Sequence, residues 1–164
     1  MKILLVAPNT NLTLAAAETQ DLVNTHGLRI ESMLGNVTQV DVTRKLRTAK
    51  GYDVLWLSTH GNADGVLLSD GILTSSALTA LVCDRFELVY LNTCSSASVA
   101  QMIQNETDAT VVCTVQDIPD ADAYRTGSLF AEALAESGDY REAYDRSMPG
   151  GNRLYLCLAG KKKV

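Results

Sequence analysis

Two apolar runs in this sequence each end in a side chain able to do covalent chemistry. Asp53-Val54-Leu55-Trp56-Leu57-Ser58 runs into Thr59-His60-Gly61, and Glu87-Leu88-Val89-Tyr90-Leu91-Asn92 runs into Thr93-Cys94-Ser95-Ser96. Laid side by side as parallel strands, they deliver an imidazole and a thiol to the same edge of a sheet. That is the minimal equipment for nucleophilic attack on a carbonyl, with the imidazole assisting the thiolate.

The competing residues have simpler roles. His26 lies in Thr25-His26-Gly27, where a helix is expected to end, and a cap explains it. Cys113 and Cys157 fall inside strands and act there as small apolar side chains; Cys83 falls at a helix end and is expected to be packed. Cys94 alone stands at a strand-to-helix junction, where unpaired N–H groups favour a thiolate. The backbone N–H groups of Gly61 and Cys94 are candidates for holding an oxyanion, since glycine admits a close approach of substrate.

The elements that must position these residues follow from periodicity and punctuation. Lys2–Ala7 is a buried strand, and Pro8-Asn9-Thr10-Asn11 breaks it. A helix over Leu14–Thr25 carries Leu14, Ala17, Glu18, Asp21 and Leu22 at helical spacing. Leu28–Met33 alternates as a strand near a sheet edge, and Asp41–Lys50 forms a helix with a basic, solvated face. Strand Val54–Ser58 is followed by a hairpin in which Ser69-Asp70-Gly71 separates Val66-Leu67-Leu68 from Ile72-Leu73. A helix capped by Thr74 or Ser75 runs to Val82. Strand Leu88–Asn92 leads through the Ser95-Ser96 cap into a helix ending at Gln104. Strand Thr110–Val115, a helix over Ala121–Ser137, a helix started by Asp139 with Glu142, a stop at Pro149-Gly150-Gly151, strand Leu154–Leu158 and the basic tail Lys161–Lys163 complete the chain. Strands alternating with helices predict an α/β fold with a mostly parallel sheet and helices on both faces. No internal repeat or linker divides residues 1–164, so one domain is expected.

Composition narrows the function. A formal net charge of −5 in 164 residues argues against nucleic acid as the main partner. One Trp, six Tyr and two Phe supply few stacking platforms for single strands. No run reaches the about 18 apolar residues of a membrane span. The Met1–Pro8 run is too short for a signal peptide, and the four cysteines form no Cys-x-x-Cys pair. A reduced, cytoplasmic setting is expected. There is no Walker-type loop and no metal-ligand spacing, so neither cofactor nor metal is expected.

The order His then Cys, with the hairpin between, carries a specific likeness. Ser58-Thr59-His60-Gly61, the Gly65–Gly71 hairpin and Leu91-Asn92-Thr93-Cys94-Ser95-Ser96 resemble the CHAT branch of the caspase-like cysteine peptidases of clan CD. Ala109–Val115 followed by Asp117-Ile118-Pro119-Asp120-Ala121-Asp122-Ala123, and the Phe130–Ser147 region with Glu142-Ala143-Tyr144, resemble it too. The likeness spans about residues 50–147. It implies a caspase-like sandwich and a cysteine endopeptidase. In it His60 assists Cys94 in attack on a peptide bond, and a thioester acyl-enzyme is then hydrolysed. No third orienting residue is implied.

Several enzymes of that clan select a basic side chain with an acidic pocket. Asp117, Asp120 and Asp122 follow the fifth strand on the same edge as the dyad. Asp117 and Asp120 are therefore candidates for substrate binding, the alternative being that these acids favour the next helix start. Asn92, also a candidate for substrate contact, stands where metacaspase-like chains carry an aspartate, so metacaspase specificity is not carried over. The resemblance implies a protein or peptide substrate. Because 164 residues leave no room for the family's sensor or repeat modules, a partner protein is expected to activate or target the enzyme, as in a bacterial defence or regulated-death system. The short Gln104–Ala109 connection predicts activity without a maturation cut there. The alternative is a catalytically inactive caspase-like module that binds a partner protein or small ligand at the same cleft.

Overall fold

The computed structural model describes residues 1–9, 15–148 and 154–160. Nine strands and six helices occur among them: β1 (Lys2–Pro8), α1 (Ala15–Asn24), β2 (Arg29–Gly35), α2 (Gln39–Thr48), β3 (Val54–Ser58), β4 (Gly61–Asn62), β5 (Gly65–Leu68), β6 (Gly71–Thr74), α3 (Ser75–Val82), β7 (Leu88–Asn92), α4 (Ala97–Glu106), β8 (Thr110–Thr114), α5 (Asp120–Ser137), α6 (Tyr140–Ser147) and β9 (Tyr155–Leu158). Thr10, Asn11 and Leu14, the Pro149-Gly150-Gly151 stop and the Lys161–Lys163 tail lie outside the described residues.

A six-stranded sheet in the order β2-β1-β3-β7-β8-β9 forms the centre. Every neighbouring pair is parallel except β8 with β9. β1, β3 and β7 are apolar almost throughout because both of their faces are covered. One face carries Leu4, Leu55, Leu57, Val89 and Leu91 against Val42 and Leu46 of α2, Leu78 of α3 and Ile103 of α4. The other carries Ile3, Leu5, Trp56 and Tyr90 against Leu22 of α1, Phe130 of α5 and Ala143 of α6. Trp56 and Tyr90 stack with ring centroids 4.0 Å apart, and Phe130 packs edge-on to Trp56 at 5.8 Å. The mostly parallel sheet with helices on both faces is the architecture the sequence predicts.

β4, β5 and β6 make a separate three-stranded antiparallel sheet between β3 and α3. The expected hairpin is its second turn. Thr74 caps α3, its hydroxyl accepting from the Ala77 N–H at 3.3 Å.

Three details differ from expectation. α2 starts at Gln39, not Asp41, because Thr38 caps it in a reciprocal box: the Asp41 N–H donates to Thr38 Oγ1 at 3.2 Å and the Thr38 N–H to Asp41 Oδ2 at 3.0 Å. Cys83 is exposed rather than packed, since it is the C-cap of α3 and the chain leaves the core there. Ser96 precedes α4 without a side-chain cap bond, its hydroxyl being held instead by Thr114. The connection from α4 to β8 is only Thr107, Asp108 and Ala109; Thr107 and Ala109 are buried. Among the described residues no helix is long and apolar enough to cross a membrane.

Candidate active site

The strand ends set the frame. β3 and β7 are adjacent and parallel, with Ser58 paired to Asn92. His60 and Cys94 each follow this pair by two residues, so the chain leaves both strands at the same edge before delivering them. Strand ends in open α/β sheets form the usual ligand crevice.

His60 is anchored through its backbone. Its carbonyl accepts from the Leu67 N–H at 2.9 Å, and the neighbouring Thr59 hydroxyl donates to the Leu67 carbonyl at 2.7 Å. The small sheet thus clamps the residues that lead out of β3, while the imidazole stays exposed. Gly61 then passes directly over the β7 exit. A Cβ there would meet Thr93 Cβ at 2.9 Å, Thr93 Oγ1 at 3.0 Å and the Cys94 carbonyl oxygen at 3.2 Å. Only a residue without a side chain fits this approach.

Cys94 lies half-buried in a turn three residues before α4, its Sγ 3.8 Å from the Ile118 carbonyl oxygen. The turn is strained: Ser95 adopts φ of 49°, a left-handed conformation rare for a residue with a side chain. Its surroundings hold it there. The Ser95 N–H donates to the Gln116 carbonyl at 3.1 Å, and the Ser95 hydroxyl donates to Asp117 Oδ1 at 2.8 Å. On either side of the cysteine, Thr114 binds both flanks. Its hydroxyl donates to the Thr93 carbonyl and accepts from the Ser96 N–H at 3.2 Å, while its own N–H donates to Ser96 Oγ at 2.9 Å. Thr93 Oγ1, against Gly61, is buried and has no hydrogen-bond partner among the described residues.

Beneath the two strand ends sits a residue that sequence reasoning placed only as one more helical position. Glu18 of α1 is 2% exposed. Its Oε1 accepts from Trp56 Nε1 at 2.9 Å and from Asn92 Nδ2 at 2.8 Å, and its Oε2 accepts from the Ser58 hydroxyl at 2.8 Å. α5 closes over it so tightly that a Cβ on Gly127 would stand 2.5 Å from Glu18 Oε1. Burial raises the Glu18 carboxyl to about 7; its hydrogen bonds from Ser58, Asn92 and Trp56 pull the other way, and the nearby charge of Asp120 adds to the rise. The signal in the sequence was a carboxylate one turn before buried Leu22, on the inward stripe of an otherwise ordinary helix.

Asn92 belongs to the same network. It is 4% exposed, its Nδ2 also donates to the Ala123 carbonyl at 3.0 Å, and its Oδ1 accepts from the Tyr155 hydroxyl at 2.5 Å. Tyr155 in turn lies within electrostatic reach of Glu18, Cys94 and Asp122. Asp117 is exposed and bonded to Ser95, next to the cysteine. Asp120 and Asp122 occupy the first turn of α5, where acidic residues suit the helix dipole. The candidate residues therefore fall into two groups: His60, Gly61, Cys94 and Asp117 around the strand exits, and Asn92 with Glu18 below them, within reach of the Asp120 charge. His26 lies apart, just beyond the end of α1, as expected. No group of three or more His, Cys, Asp or Glu able to hold a metal occurs among the described residues.

The mostly parallel α/β sandwich is the fold of the caspase-like cysteine peptidases. The solved structures it resembles are of that class. One is the Arg specific cysteine proteinase gingipain R, with a TM-score of 0.67 at 10% identity over 90% of this chain and 40% of that one. Another is the complex of Porphyromonas gingivalis RgpB pro- and mature domains, with a TM-score of 0.64 at 8% identity over 97% of this chain and 47% of the other. At such identities the likeness is one of fold, and the chain spans less than half the length of either neighbour. The CHAT domain profile matches residues 5–138, and the chain belongs to the CHAT domain family. No curated protein matches the sequence.

Proposed function

We propose that this domain is a cysteine endopeptidase with Cys94 as nucleophile and His60 as its base and acid. The observation that carries the reading is the close approach of Gly61 to the Thr93 side chain and the Cys94 carbonyl, which leaves no room for a side chain where the two strand exits meet. His60 takes the proton from Cys94 Sγ, and the thiolate attacks the scissile carbonyl carbon. The resulting oxyanion is held by the N–H groups of Gly61 and Cys94. As the C–N bond breaks, His60 returns its proton to the leaving amine. Water, deprotonated by His60, then hydrolyses the thioester and regenerates the thiol.

A basic side chain before the cut suits the negative charge around this edge. Asp117 stands bonded to Ser95 next to the cysteine, and Asp120 and Asp122 lie in the first turn of α5. The fold likeness to a proteinase described as Arg specific agrees with this preference. Control by a partner protein, and activity without a cut in the short Thr107–Ala109 connection, belong to the same reading.

Mass-spectrometric mapping of cuts in a peptide library, with Cys94→Ala as control, tests it. The expected result is a set of Cys94-dependent cuts after Arg or Lys. Their absence, with or without added lysate, would remove the peptidase reading. Cuts after other residues would remove the basic preference alone.

A further inference from the structure

The sheet has two unlike edges. At one end β9 is four residues long and covered at its exit, where the Gly160 N–H donates to Thr110 Oγ1 at 3.0 Å. At the other end β2 is seven residues long, without proline, and paired in continuous register to β1 from Arg29 to Gly35. Proteins usually blunt such an edge with short length, proline, bulges or charges. From Ser32 to Gly35 this one has none of these.

The direction of its free backbone groups follows from the bonds it makes. The Arg29 N–H donates to the Met1 carbonyl at 2.9 Å, and the Gly35 carbonyl accepts from the Asn9 N–H at 2.6 Å. Alternate residues of a strand address the same side, so Arg29, Glu31, Met33 and Gly35 face β1. Ile30, Ser32 and Leu34 direct their N–H and C=O groups outward, where no strand lies among the described residues.

An open groove of about 540 Å³ runs along this edge. Ser32, Met33 and Leu34 all line it. Successive side chains point to opposite faces, so a groove touching three in a row must border the edge itself. Its far wall is α2, through Asp41, Arg44 and Lys45. A second groove of about 420 Å³ continues over α2, sharing Arg44 and including Arg47 and Val40. Leu34 and Val40, 51% and 59% exposed, flank the surface.

The charge of this surface opposes that of the chain. Residues 28–50 hold Arg29, Arg44, Lys45, Arg47 and Lys50 against Glu31 and Asp41, in a protein of net charge −5. Both acids are engaged: Glu31 with Lys45 at 2.6 Å and Asp41 in the Thr38 capping box. Arg44 and Arg47 form no salt bridge among the described residues.

We propose that the open edge of β2 docks an extended acidic segment of a partner protein, which adds as a further strand and sets carboxylates against Arg44 and Arg47. Backbone hydrogen bonds to Ser32 and Leu34 supply the pairing, and Leu34 and Val40 supply apolar contacts. The arginines select the sign of the partner. The surface gives the partner expected for this domain a place and a chemistry, yet its occupancy does not depend on the peptidase reading.

Fluorescence anisotropy on the full chain carrying Cys94→Ala tests it without turnover. The probe is a labelled peptide of alternating valine and glutamate, compared with a lysine-for-glutamate version and a backbone N-methylated version. Both altered probes are expected to bind at least about tenfold more weakly. Ser32→Pro removes one outward N–H and none directed at β1, so it should weaken the acidic probe comparably while the melting temperature holds. Arg44→Glu with Arg47→Glu should do the same. Failure of the acidic probe to bind, equal binding of the lysine probe, or indifference to N-methylation would overturn the proposal. So would a concentration-dependent dimer in sedimentation that Ser32→Pro abolishes, because the edge would then belong to a second copy of this chain.

Discussion

Gly61 passes close over Cys94: a side chain on Gly61 would begin 3.2 Å from the Cys94 carbonyl oxygen and closer still to Thr93. This close approach lies where the chain leaves β3 and β7, at the level where the histidine and the cysteine appear. Gly61→Ala must push the two exits apart or crowd the Cys94 turn. Overpacking of this kind costs about 1–3 kcal/mol. Displacement of a reacting group by about 1 Å can cost on the order of a hundredfold in rate. Peptidase activity is therefore expected to fall much more than the urea midpoint; unchanged activity would show that the close approach is dispensable.

The Glu18 carboxyl supplies a pH signature in stability. Its ordinary value of 4.5 rises to about 7 in the fold through burial. Between these values the folded state keeps a proton that the unfolded chain has released. The contribution is therefore fully present below pH 4.5, is lost as pH rises through about 7, and stays lost above it. Its size is roughly 3 kcal/mol at 1.36 kcal/mol per unit. Glu18→Gln imitates the protonated group at all pH values. The stability of the wild type relative to this variant, from urea unfolding, should decline from pH 4.5 to 7. A flat difference would contradict the assignment.

Thr114 is expected to control both the stability and the activity of the Cys94 turn. Thr114→Val keeps the shape but leaves the Thr93 carbonyl and the Ser96 N–H without their partner. Each unsatisfied buried group costs roughly 1–3 kcal/mol. Thr114→Ser retains the hydroxyl and should restore most of the loss in thermal unfolding and in turnover. Little loss in Thr114→Val, or a loss in Thr114→Ser as large as in Thr114→Val, would contradict the role of the hydroxyl.

Much of this site was legible because its elements obey short-range rules. β3 and β7 are unbroken apolar runs, Asp70-Gly71 closes a hairpin, and Thr74 caps α3. Those features order the chain so that His60 and Cys94 follow neighbouring strands. What was not legible depends on contacts between distant parts. The burial of Glu18 requires Gly127 of α5 to close over it, and the hydroxyl of Ser96 is drawn from its helix cap by Thr114 on the next strand. Cys83 looked like a core residue at the end of an apolar helix, but the cap geometry turns it outward. The early start of α2 was readable in Thr38 and Asp41, whose spacing is a capping box with aspartate in the place of glutamate.

The proposed dyad rests on one thiol, and the protein carries its own reference for it. Cys113 is buried, with its thiol pushed up to about 12, and should be silent near neutral pH. Cys83 is exposed and serves as the accessible reference thiol. The decisive measurement is the rate of iodoacetamide labelling at each cysteine, read by peptide mass spectrometry at neutral pH in the wild type and in His60→Ala. Cys94 is expected to react faster than Cys83 although it is less exposed, and His60→Ala should slow Cys94 while leaving Cys83 unchanged. Equal rates at Cys94 and Cys83, or indifference of Cys94 to the loss of His60, would contradict the dyad.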